Sequence, residues 1–157
     1  MAEPNLDEID RKILKRLQED GRVTNVDLAV SVGLTAPPCL RRMRALEDDG
    51  IITAYHAAVN STKMGYTITV FAMVSLKSQA EHDLQAFEDH IQQLPEVREC
   101  YMLNGEIDFM LKVVAKDLQA FQKFLTSELT AAPNVASVKT SLTIRSAKNL
   151  PGVPITL

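Results

Sequence analysis

Cysteine is scarce: Cys39 and Cys100 are the only two, far apart and outside any CxxC. That excludes a disulfide framework and gives no zinc-finger spacing, so a reduced, cytoplasmic protein is the default. No apolar run approaches the roughly 18 residues that span a bilayer. The N-terminal stretch MAEPNLDEID is acidic and polar, unlike a secretory signal. Basic residues are not in excess either. Net charge is −3, and residues 1–60 hold eight Lys and Arg against ten Asp and Glu. Overall charge therefore argues against non-specific nucleic-acid binding, although it leaves room for a local basic face.

Enzyme signatures are missing as well. No G-x-S-x-G, P-loop or H-E-x-x-H occurs. His56, His82 and His90 are scattered, so no catalytic residue and no metal site is assigned. Cys39 falls in the first turns of a candidate helix, where a thiolate can be stabilised; a small packing side chain is the simpler reading. What remains is 157 residues, 46% hydrophobic and 24% charged. That is enough for one ordinary domain or two small ones, each with a core.

The first sixty residues read as three short helices. LDEIDRKILKRLQEDG puts Ile9, Ile13, Leu14 and Leu17 on one helical face, with Asp7 as N-cap and Gly21 as stop. TNVDLAVSVG opens on Thr24, capped through Asp27, and closes on Gly33. In TAPPCLRRMRALEDDG, Thr35 caps and Pro37 and Pro38 fit the first turn, where N–H groups have no intrahelical partner. Leu40, Met43 and Leu46 form the apolar stripe; Arg41 and Arg42 point elsewhere, and Arg44 lies at its edge. IITAYHAAV then suits a short pair of strands. Three helices with a Gly-bearing turn before the third, then a β-wing, is the helix-turn-helix plan. The plainer alternative is an all-α packing domain with solvated arginines.

NSTKMGY, residues 60–66, reads as a linker. Beyond it TITVFAMVSLK alternates as a strand, with Phe71 and Met73 making its second face apolar too. Two amphipathic helices follow, the first stopping at Pro95 and the second running from Asp117 to Pro133. Between them VRECYML and DFMLKVVA form strands joined at the Asn-Gly of NGEI, and VASVKTSLTI is the last strand. DLQAF occurs at Asp83–Phe87 and again at Asp117–Phe121. The repeat predicts β-α-β-β-α-β, one antiparallel sheet with both helices on one face. The other face then needs a second copy to cover it. The fold class is thus α+β: a winged helix-turn-helix over 1–59, a linker over 60–66, and a ferredoxin-like domain over 67–157. In NGEIDF, Gly105 offers free N–H groups to a carboxylate and Asp108 an acceptor to an ammonium group, as for the ends of an amino acid. An ordinary hairpin turn with a solvated aspartate fits the same residues.

LDEIDRKILKRLQEDGR, DLAVSVGLT, PPCLRRMRALEDDGII and ECYMLNGEIDFMLKV together resemble the Lrp/AsnC family over nearly the whole chain, closest to its leucine-responsive branch. The resemblance implies a cytoplasmic, nucleoid-associated transcriptional regulator that binds double-stranded DNA and responds to a small amino-acid effector. It implies dimers that assemble further, commonly to octamers, and neither a cofactor nor a membrane. Arg41, Arg42 and Arg44 would meet phosphates or guanine edges. Thr35, Ala36, Pro37 and Pro38 would enter the major groove first, and Thr24 and Asn25 would touch phosphate. The effector would meet Met102, Asn104, Gly105, Asp108, Leu118, Ser141, Leu142 and Thr143, where dimers join. A competing function is a small-molecule sensor or metabolic enzyme that uses the ferredoxin-like half without DNA.

Overall fold

Asp7 begins the ordered helical part by a reciprocal cap. Its carboxylate accepts the Asp10 N–H at 2.9 Å, and the Asp10 carboxylate accepts the Asp7 N–H at 3.3 Å. Helix α1 then runs over Glu8–Glu19. The computed structural model describes residues 5–157; the expectation for Met1–Pro4, as part of the acidic N-terminal stretch, lies outside them. Thr24 caps α2 (Asn25–Ser31) by accepting the Asp27 N–H at 3.1 Å. Gly33, at φ 73°, turns the chain in the left-handed region that favours glycine. Helix α3 (Ala36–Asp48) follows with its prolines in the first turn. Thr35 occupies the N-cap position, but its side chain makes no capping bond.

Ile13, Leu28, Ala29, Val32, Cys39 and Leu46 form the buried core of these helices. Cys39 is fully buried, whereas Leu40 and Met43 are only half-buried. Burial pushes its thiol pKa up, which settles the cysteine as packing rather than a stabilised thiolate. The strand pair expected over residues 51–59 does not form: Ile51 and Ile52 pack on the core, and residues 53–60 are exposed and irregular. A strand needs an edge to pair with, and among the described residues this segment has none.

The second unit spans Val59–Ala147. It contains β1 (Ile68–Leu76), α4 (Glu81–Gln92), β2 (Val97–Met102), β3 (Phe109–Ala115), α5 (Leu118–Phe124) and β4 (Val135–Leu142). The sheet order is β2-β3-β1-β4, and every neighbouring pair is antiparallel. Val70, Ala72, Val74, Leu76, Phe109, Leu111 and Val113 meet Leu84, Phe87, Ile91, Phe121 and Phe124 in one core. Both helices therefore cover one face of the sheet. Alternation puts Phe71, Met73, Met110 and Val114 on the other face, where Phe71 is 37% exposed. The second helix is not continuous: α5 ends at Phe124 and a π-helical turn covers Leu125–Leu129, closed by the Thr130 N–H donating to Leu125 O at 2.9 Å. That wider turn carries Leu129 into full burial.

Lys148–Leu157 belongs with the residues up to Ala58, not with the sheet. Gln18 on α1 accepts the Val153 N–H at 2.7 Å and donates to Val153 O at 3.1 Å. Two hydrogen bonds to one backbone unit hold the tail as a neighbouring strand would.

Candidate nucleic-acid interface and ligand site

The helix-turn-helix presents the start of α3 at the surface. Thr35 and Pro37 are exposed, Ala36 and Pro38 half-buried. Asn25 donates from its amide to Ala36 O at 2.9 Å, tying the start of α2 to the start of α3. The Thr24 hydroxyl donates to Asp27 at 2.6 Å. Arg41 and Arg44, three residues apart, share an exposed side of α3. Among the described residues neither forms an ion pair.

Arg42, unlike Arg41 and Arg44, has acidic partners within the chain. Its Nη1 donates to Asp7 Oδ2 at 2.7 Å and to Asp10 Oδ1 at 2.8 Å. Both carboxylates belong to the α1 cap. The partners lie 35 and 32 residues away in sequence, so no local spacing announces them. Val26 and Val30, one turn apart on α2, are exposed.

The candidate ligand residues fall into two groups. Met102, Asn104, Gly105 and Asp108 cluster where β2 gives way to β3. The connection is a loop over residues 103–108, not a two-residue Asn-Gly turn, and the Leu103 N–H closes it on Asp108 O at 2.8 Å. Within it Asn104, Gly105 and Glu106 are exposed. Among the described residues their N–H groups make no hydrogen bond, which leaves donors for an anionic group. Asp108 is not an ordinary solvated aspartate: it is 9% exposed. Its Oδ2 accepts the Leu76 N–H at 2.7 Å and its Oδ1 the Gln79 amide at 2.8 Å. The carboxylate thereby fixes the β1–α4 connection behind the loop. Met102 lines a groove of about 340 Å³ with Glu88, Ile91, Gln92, Cys100 and Phe109.

Leu118, Ser141, Leu142 and Thr143 lie at the opposite end of the sheet. Met102 shares a rung with Phe109 and Val74, whereas Leu142 pairs with Val70. The two rungs are four residues apart on β1, roughly 13 Å at about 3.3 Å per residue. One chain does not bring the groups together. In the second group Leu118 and Leu142 are exposed apolar side chains, and the Thr143 hydroxyl is buried without a partner among the described residues. Among the described residues no group of three or more His, Cys, Asp or Glu side chains is placed to hold a metal. No helix among them is long and apolar enough to cross a membrane.

Comparison with known proteins matches the chain to two family models. Residues 6–53 match a winged helix-turn-helix DNA-binding domain, and residues 69–153 match the Lrp/AsnC ligand-binding domain. The chain belongs to the Lrp/AsnC family. Among its relatives is the leucine-responsive regulatory protein of Rhizobium meliloti, 51% identical over 92% of each chain. The Bkd operon transcriptional regulator of Pseudomonas aeruginosa is 44% identical over 93% of this chain and 94% of its own. A transcriptional regulator of Neisseria meningitidis, solved as its complex with L-methionine, superposes with a TM-score of 0.91 at 35% identity, covering 96% and 97% of the two chains. This Lrp/AsnC chain is accordingly a DNA-binding transcriptional regulator with a ligand-binding domain, and not an enzyme.

Proposed function

We propose that Arg41, Arg44 and the start of α3 form the DNA contact, and that an amino acid is the effector. The observation that carries the DNA contact is the exposed arginine couple on α3, without an ion pair among the described residues, in a chain whose net charge is −3. Thr35, Ala36, Pro37 and Pro38 lead into the major groove, and Thr24 and Asn25 flank the phosphates. A single cationic head on an acidic body binds weakly, and several heads in one assembly offset this by avidity. The chain acts as a homo-oligomer of dimers, up to an octamer, in the cytoplasm.

The effector pocket forms between copies. The loop end of one sheet supplies N–H groups for a carboxylate, held in place by Asp108, and Met102 supplies apolar surface. Leu118, Ser141, Leu142 and the unpartnered Thr143 hydroxyl come from another copy. Support comes from the separation of the two groups within one chain and from the L-methionine bound by the Neisseria regulator. A thermal-shift screen of the full chain against the twenty amino acids tests the reading. A ligand that binds only the folded state raises the melting temperature, and the same ligand changes assembly size by light scattering. If no amino acid shifts the melting temperature, the effector assignment is lost.

A further inference from the structure

We propose that Arg42 is a positioning residue that seats the DNA-reading helix and does not touch DNA itself. The α1 cap uses Asp7 Oδ1 and Asp10 Oδ2 for its two reciprocal bonds. The remaining oxygens, Asp7 Oδ2 and Asp10 Oδ1, both accept from Arg42. One guanidinium thus completes the cap of α1 and joins it to the middle of α3. The side chain is 33% exposed, and Asp10 opposite it only 16%, so the pair is screened less than a surface bridge. Arg41 and Arg42 are neighbours in sequence but sit about 100° apart around the helix. The first faces solvent and the second faces α1. Swinging Arg42 to a phosphate would leave two carboxylates beside the cap with no cation. Asp7 and Asp10 would then repel each other and the approaching duplex.

The inference rests on the assignment of Arg41 and Arg44 to the DNA, and salt dependence tells the two apart. Each neutralised phosphate adds about 1 to the slope of log K against log salt. The full chain is titrated by fluorescence anisotropy against a mixed-sequence duplex between about 50 and 200 mM salt. A preferred duplex selected from a random pool is titrated alongside it. For Arg41→Ala and Arg44→Ala the slope falls by about 1 each. For Arg42→Ala the slope on mixed-sequence DNA is unchanged, while preference for the selected duplex falls by roughly tenfold, the effect of one lost base contact. Arg42→Lys, which keeps a charge near the cap, restores part of that preference. Asp10→Asn, which retains the guanidinium but loosens its seat, lowers preference with no loss of slope, and serves if Arg42→Ala does not fold. A slope loss in Arg42→Ala equal to that in Arg41→Ala overturns the inference, as does full preference in Asp10→Asn. Unchanged slopes in Arg41→Ala and Arg44→Ala count instead against the DNA-contact assignment.

Discussion

At the scale of single residues, two carboxylates do work that their sequence positions conceal. Asp108 accepts from a backbone N–H and a side-chain amide at once. Asp108→Ala removes both acceptors and leaves the buried Leu76 N–H unpaired, at a cost of about 1–3 kcal/mol. Chemical denaturation of the full chain checks this, and an unchanged midpoint would mean that the carboxylate is not needed in the loop. Asp7 is the second case. The Asp10 N–H, and then Arg42, hold its carboxyl below the ordinary value of 3.8, while burial pushes the other way. A depressed folded pKa gives stability that is fully present above the unfolded value and lost as pH falls through the folded one. Asp7→Asn should therefore flatten the fall in melting temperature below about pH 4, and a parallel curve would contradict that. From sequence, Asp7 was readable as a cap because its first partner is three residues away. Its tie to Arg42, and that of Asp108 to Leu76 and Gln79, join distant segments and leave no periodic mark.

At the scale of elements, helices whose ends are written in side chains are the ones the sequence foretells. Asp7, Thr24 and Gly33 stand where their caps and turn were expected. The four strands follow from alternation, and the DLQAF echo marks the two halves of the sheet. The wing is the exception, since Ile51 to Val59 has strand composition but no partner edge among the described residues. The π-turn after α5 is likewise unannounced, because Leu125–Leu129 keeps helical spacing while its ladder slips by one residue. The core of the first unit depends on side chains shared between helices, and Leu28 is fully buried. Leu28→Ala should destabilise the chain by about 2–5 kcal/mol, measured by urea unfolding. A loss well under 1 kcal/mol would mean that the α2–α3 packing is looser than described.

At the scale of the molecule, the chain does not divide at one point. The linker region gives a boundary near Ala58, but the tail rejoins the first unit through Gln18 and Val153. Composition gave no sign of this, because two hydrogen bonds to a backbone unit need only one glutamine and a bend. Gly152 supplies that bend at φ 66°, and a Cβ there would collide with the Gln18 amide. Gly152→Ala and deletion of Lys148–Leu157 should each lower the stability of the first unit by about 1–2 kcal/mol, the worth of two modest hydrogen bonds. Hydrogen exchange on α1 reads the change, and identical protection in all three proteins would show that the tail contributes nothing there. Residues Lys148–Leu157 thus lie on the body that carries α1, α2 and α3. A fluorophore attached after Leu157 rides with the DNA-binding helices, although the nearest preceding strand belongs to the ligand-binding sheet.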